Sequence, residues 1–402
     1  LESMAKGLLN LCVKEGLIVI MLRFLTAGES HGQCLTSILE GVPAGLKIDI
    51  EKINKNMIRR QMGYGRGGRM KIETDKVDIL SGIRFGETIG SPITMQVKNN
   101  DWQNWQRKMS ITGQPFGDKV TAARPGHADW VGINKYNRSD IRDILERASA
   151  RETAARVAVG SVCQQFLEDL GIKIVAHVVN IGGVRIDRKK IDYKNMGQNI
   201  SELNCMEADA EQKMREKIRE ASQAGDTLGG TFEVIVSGVP MGMGTHIQWD
   251  KRLDGKLAQA LMSIQAIKAV EIGDGVKYAD YPGSKMHDEM FYDEHKKVYR
   301  KSNHAGGLEG GMTNGENIIV RAVMKPIPTL MKPLHSIDIA SRQEVLASKE
   351  RSDICAVPAA SVVGAAMTAF TIADAVLEQF AGNNMIDVKN AIKSYNNRLD
   401  ER

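Results

Sequence analysis

Net charge is what the sequence has least of: 54 Lys and Arg stand against 49 Asp and Glu, leaving a formal +5 over 402 residues. A near-balanced chain has no global field with which to collect nucleic acid, so any preference for anions must come from local clusters. Cysteines are also few. Cys12, Cys34, Cys163, Cys205 and Cys355 are odd in number and form no Cys-x-x-Cys pair, which argues against a disulfide framework or zinc ribbon and fits a reducing cytoplasm. The apolar stretch near the start, Gly16 to Leu25, is too short to span a bilayer and lacks the charge order of a secretory signal. No Gly-x-Gly-x-x-Gly follows a first strand, and no P-loop, nucleophile elbow or His-Glu-x-x-His occurs, so the usual dinucleotide, nucleotide, acyl-transfer and metal motifs are missing. Without a Pro- or Ser-rich linker or a fixed-period repeat, residues 21–402 read as one domain, and residues 1–20 as an extension outside it with no assignable function.

Three helices are expected from apolar spacing. Ser139 to Leu170 is read as one continuous helix with Ser139 as its N-cap, Leu253 to Val270 as an amphipathic helix, and Pro358 to Phe380, apolar on almost every side, as a helix buried in the core. Strands are expected at Leu22 to Leu25, Thr231 to Val239 and Ile318 to Met324, with Phe232, Val234 and Val236 facing one way and Glu233 and Ser237 the other. Strand pairs separated by long helices give an α+β class. Ser284 to Glu316, charged and glycine-rich, is expected to be a long surface loop able to act as a lid.

Several polar clusters could carry chemistry. In Arg59 to Lys71 (RRQMGYGRGGRMK), cations alternate with glycines, so backbone N–H groups and guanidinium forks could both reach an anion. A solvated basic turn or an RNA-binding Gly-Arg segment would have the same composition, although aromatic interleaving is limited to Tyr64. Gly28-Glu29-Ser30-His31-Gly32 follows the first strand and offers a histidine able to act as an acid, or simply a hydrogen-bonded turn. Arg124-Pro125-Gly126-His127-Ala128-Asp129 sets Arg124 beside His127, a pairing suited to an anion or to an ordinary surface turn. Arg147 and Arg151, four apart on the expected helix, would repel unless an anion or neighbouring Asp143, Glu146 and Glu152 intervened. Taken together, the clusters suggest a small polyanion handled by electrostatics and proton transfer.

In order along the chain, GESHG, RRQMGYGRGGRM, RPGHAD, RASARETAARVAVG, QAIKAVEIGDG, KPIPTL and RSDICAVPAA resemble the chorismate synthase family from Met21 almost to the end. The resemblance implies a helical core sandwiched between two antiparallel β-sheet layers, a homotetramer, and reduced FMN as cofactor. It implies a lyase that turns 5-enolpyruvylshikimate 3-phosphate into chorismate by 1,4-anti elimination, with flavin lending an electron as the C–O bond breaks and recovering it. By the family pattern, Arg60, Arg66, Arg69, Arg124, Arg151 and Arg351 would contact substrate. Arg147, Ala148, Ser149, Gln265, Ala266, Gly310, Lys325, Pro326, Ile327, Pro328, Thr329 and Arg351 would line the flavin. His31 is assigned as the acid for phosphate departure, His127 as the group protonating reduced flavin, and Asp353 as the orienter of flavin N5. No metal, nucleic acid or membrane is expected, and an external flavin reductant is favoured over self-reduction with NADPH. The rivals from other classes are an RNA-binding protein and a phosphometabolite-binding protein without catalysis.

Overall fold

The protein is described by a computed structural model covering residues 22–66, 74–191, 201–347 and 353–401. Period-two burial builds its first layer. β1 (Arg23–Ala27), β2 (Cys34–Glu40), β3 (Val77–Ile79) and β4 (Ile93–Lys98) form an antiparallel sheet in the order β1-β2-β4-β3. Leu35 lies opposite Val97 and Leu39 opposite Ile93, so the buried face carries these apolar side chains while Leu25 and Ile38 lie on the other. α1 (Ile50–Gln61) follows, its start fixed by the Asp49 carboxylate accepting from the N–H groups of Glu51 and Lys52.

The helix expected over Ser139 to Leu170 is interrupted. α2 (Arg142–Ala148) stops at Ser149, whose backbone is extended (φ −62°, ψ 142°), and a short 3-10 turn at Ala150–Glu152 leads into α3 (Thr153–Asp169). Ser149, not Ser139, is the capping serine: its Oγ accepts from the Arg151 N–H at 3.2 Å, whereas Ser139 Oγ accepts from Lys119 Nζ at 2.9 Å. Arg147 and Arg151 therefore do not share a helical face.

The second layer is an antiparallel sheet in the order β8-β9-β7-β5-β6, made of β5 (Lys173–Ile181), β6 (Val184–Arg185), β7 (Gly230–Ser237), β8 (Ile267–Ile272) and β9 (Ile318–Met324). Here the second helix expectation fails: α4 covers Leu253–Met262 only, and Ile267–Ile272 pairs with β9 instead. Ala266 in the left-handed region (φ 68°) ends the helical path, and the alternation IKAVEI suits a sheet edge. Glu233 does lie opposite the Phe232 face, but it is fully buried and held by Arg321, Arg188 and His177.

α5 (Val357–Gln379) matches its expectation. It is long and apolar enough to cross a membrane, yet most of it is buried between α3 and the second sheet. Close approach is set by glycine: a Cβ on Gly160 would sit 2.4 Å from Ala366 Cα, and one on Gly364 would sit 2.2 Å from the Phe232 ring. The helices thus fill the space between two antiparallel sheets, the sandwich expected. The segment expected as a loop is folded into a helical turn at Gly283–Met286 and two hairpins, Met290–Tyr292 with Val298–Arg300 and Leu308–Glu309 with Met312–Thr313. Asp288 anchors it by accepting from Ser302 Oγ, His304 N and Ala305 N at 2.6–2.9 Å.

Gly160→Ala should lower the melting temperature, at a cost of about 1–3 kcal/mol for overpacking a helix crossing. Gly255→Ala on α4, where a Cβ meets nothing within 4 Å, should leave it unchanged or raise it. Equal shifts in both variants would mean that α3 and α5 do not cross at Gly160.

Candidate active site

The candidate residues gather where β1, β4, α1, α2 and the start of α3 meet. At the bottom Asp75 holds two cations: Arg60 donates to its Oδ2 at 2.6 Å, and Arg151 to both of its oxygens at 2.6 and 2.7 Å. All three side chains are buried. Burial alone would push the Asp75 carboxyl up, but the two guanidinium groups outweigh it and hold it below the ordinary carboxylate range. Arg151 Nε also donates to Asn99 Oδ1 at 2.9 Å, while Asn99 Nδ2 donates to the carbonyls of Glu29 and Gly32. The arginine pair is thereby tied to the His31 turn.

Both candidate histidines are backed by carboxylates. His31 Nδ1 lies 3.0 Å from both oxygens of Glu146, and the His31 backbone N–H donates to Oε2 at 2.8 Å. Glu146 also accepts from Arg142 at 3.0 Å, and the ring of His31 stacks on Trp105 with centroids 3.8 Å apart. Glu146 is 3% exposed. Burial works to raise its carboxyl, yet the bonds from His31 and the charge of Arg142 keep it below its ordinary range. His127 Nδ1 sits 2.5 Å from Asp129 Oδ1, and Arg124 grips the same carboxylate through Nε at 2.9 Å and a terminal nitrogen at 3.1 Å. The Asp129 carboxyl is held far below the usual range by these bonds, against burial.

On one side the site is closed by backbone. Arg147 donates to the carbonyls of Thr26 and Gly28, while Thr26 Oγ1 and Gln265 Nε2 both donate to Glu152, at 2.7 and 3.0 Å. Gln265 Oε1 is buried and has no partner among the described residues. The Lys325 N–H donates to the carbonyl of Ala266 at 2.9 Å, and Lys325 Nζ reaches the carbonyl of Gly126 in the Arg124 turn. Ile327 accepts from Thr227 Oγ1, and Leu228, next in sequence, donates to the carbonyl of Ile354, beside Asp353. Asp353 is paired with Arg66 at 2.7 Å.

The family model for chorismate synthase matches residues 22–377. The chain belongs to that family. It is 54% identical over 386 residues to the chorismate synthase of Geobacter sulfurreducens, covering 93% of this chain and 98% of that one. The corresponding figures for the Aquifex aeolicus chorismate synthase are 53% over 391 residues, 94% and 98%. A crystal structure of a chorismate synthase superposes with a TM-score of 0.76 at 43% identity, over 95% of this chain and 99% of that one.

Of the residues matched to the family motifs, His31, His127, Arg60, Arg66, Arg124, Arg147, Ala148, Ser149, Arg151, Gln265, Ala266, Lys325 to Thr329 and Asp353 are joined through the hydrogen bonds and short chain segments above. Gly310 is not among them. It sits in the turn of the Leu308–Glu309/Met312–Thr313 hairpin, where a Cβ would meet Met312 Cε at 3.8 Å and His246 Cβ at 3.9 Å. Arg69 and Arg351 lie outside the described residues. Sequence reasoning missed the partners. Asp75 and Trp105 stand outside every motif, Glu146 is legible only as a neighbour of arginines, and Asp129 sits inside a motif that gives it no role.

Asp75, Asp129, Glu146 and Glu152 all have carboxyls lowered by folding. Their stabilisation is complete above the unfolded-chain values, about 3.9 for Asp and 4.3 for Glu, and is lost as pH falls through the lower folded values. Melting temperature should therefore be flat in these groups from pH 7 to 5 and fall steeply below about pH 4. Asp129→Asn should be less stable at pH 7 and show a shallower acid fall. An unchanged acid slope would contradict this pairing.

Proposed function

We infer that this chain converts 5-enolpyruvylshikimate 3-phosphate to chorismate and phosphate by 1,4-anti elimination, with reduced FMN as cofactor. The observation that carries the reading is the pairing of each candidate histidine, through Nδ1, with a buried carboxylate that also holds an arginine. The carboxylates fix the arginines and imidazoles that would face a substrate with two carboxylates and a phosphate, and leave Nε2 of each imidazole for proton exchange. The residues also suit the cofactor: Gln265 Oε1, buried without a partner among the described residues, fits an N–H donor of a flavin ring, with Lys325 bonded to the adjacent Ala266 and Arg147 reaching Thr26, which shares Glu152 with Gln265. When bound, reduced FMN would supply an electron transiently, with no net redox change.

In this scheme Arg60, Arg66, Arg124 and Arg151 hold the anionic groups. His31 gives its Nε2 proton to the departing phosphate, His127 holds a proton for reduced flavin, and Asp353, fixed by Arg66, orients flavin N5. The chain works as a homotetramer in the cytoplasm and takes its reduced flavin from an external reductant.

The test is an anaerobic assay with 5-enolpyruvylshikimate 3-phosphate and pre-reduced FMN, with oxidised FMN as control. Phosphate and chorismate should appear in equal amounts, and only with reduced flavin. His31→Ala and His127→Ala should each slow turnover by about 10² to 10⁴. Folded, FMN-binding protein that makes no product would overturn the enzyme reading.

A further inference from the structure

His31 sits at a turn, where a side chain has little secondary structure to fix its rotamer, yet it is held on three sides. Glu146 takes both its backbone N–H and its Nδ1, and the Ser30 N–H donates to the Glu146 carbonyl at 3.0 Å, so one residue of α2 grips both the turn and the ring. Trp105 covers one ring face at 3.8 Å with a tilt of 27°. The indole is held in turn: its Nε1 donates to Asp101 Oδ2 at 2.8 Å, and the Arg142 guanidinium lies 5.1 Å from its ring centroid. Arg142 also bonds Glu146 at 3.0 Å, so a single cation braces both the carboxylate behind the imidazole and the indole beside it.

Electrostatics then fix the tautomer. A buried carboxylate that accepts from Arg142 and two groups of His31 stays ionised at neutral pH and can only accept. The neutral ring must therefore carry its proton on Nδ1, which puts the lone pair on Nε2. Nε2 has no partner among the described residues.

We propose that Glu146, braced by Arg142 and with Trp105 against the ring, is a positioning residue for the reaction: it holds His31 as the Nδ1–H tautomer so that Nε2 carries the exchanged proton. The step rests on the acid role of His31 given above. As the C3–O bond breaks and its electron pair passes to phosphate oxygen, the imidazolium gives its Nε2 proton to that oxygen. The ring returns to the neutral Nδ1–H form, Glu146 remains a carboxylate throughout, and Nε2 regains a proton from solvent. Glu146 touches neither substrate nor cofactor, and acts through His31.

The experiment is a double-mutant cycle in the full-length protein with reduced FMN, using His31→Ala, Glu146→Gln and both together, with melting temperature and oxidised-FMN affinity as controls. Glu146→Gln should lower kcat by about 10-fold or more and leave KM within about threefold, because an orienting carboxylate affects proton transfer more than binding. On the His31→Ala background the same change should cost less than about twofold. Losses that multiply, or that appear in KM alone, would overturn the positioning role while leaving the acid role intact. If His31→Ala alone turned over within about threefold of the parent, the acid role would fail first and the positioning role with it. Trp105→Leu carries the same cycle if Glu146→Gln does not fold. Its kcat loss should likewise vanish once His31 is gone, and a loss that persists there contradicts the proposal.

Discussion

Burying arginine is what this site has to solve. Arg60 and Arg151 are both buried, and two guanidinium groups in a low-dielectric interior repel each other and lose their water. Burial pulls the Arg60 side chain below its ordinary value, with Asp75 working against it. Asp75 makes the pair tolerable by bonding to both. Removing one partner from such a buried arrangement costs about 3–5 kcal/mol, so the Asp75 side chain is fixed as firmly as many core residues. From that point the fold and the site are one structure: Arg151 reaches Asn99, Asn99 fastens the carbonyls of the His31 turn, and Thr153, one turn into the same helix system, receives Arg60 at 3.4 Å.

The same solution recurs at each histidine. A buried carboxylate bonded first by an imidazole and then by an arginine stays ionised, and an ionised carboxylate dictates which imidazole nitrogen is protonated. Glu146 with Arg142 does this for His31, and Asp129 with Arg124 does it for His127. Elsewhere in the fold, Glu233 gathers Arg321, Arg188 and His177 in the interior of the second sheet, so ionic pairing under burial is not confined to the site.

What could be read from the sequence follows from how far apart the partners lie. Val357–Gln379 was legible because its apolar character goes all the way round, and only a core helix tolerates that. The break at Ser149 was not, because Arg-Ala-Ser-Ala-Arg-Glu has the propensity of a helix interior. Its extended backbone wins because it sends Arg147 to the carbonyls of β1 and Arg151 down to Asp75. The strand at Ile267–Ile272 was lost for a related reason, since four apolar residues at helical spacing ran past the left-handed Ala266. His31, Arg60, Arg124 and His127 were legible as candidates from motif alone. Glu146 was not, since it is 115 residues from His31 with nothing local to mark it, whereas Asp129 stands two residues from His127 inside the motif, where no local signal gives it a role.

Fixed carboxylates hold the cations and imidazoles gathered around His31, His127 and Asp75. A structure of the protein with oxidised FMN and 5-enolpyruvylshikimate 3-phosphate bound tests this arrangement most directly. In that complex the anionic groups of the substrate should lie against Arg60 and Arg151, phosphate should be within reach of His31 Nε2 while Nδ1 stays on Glu146, and Gln265 Oε1 should be taken up by the flavin. Substrate bound elsewhere, or a His31 ring turned away from Glu146 in the complex, would contradict it.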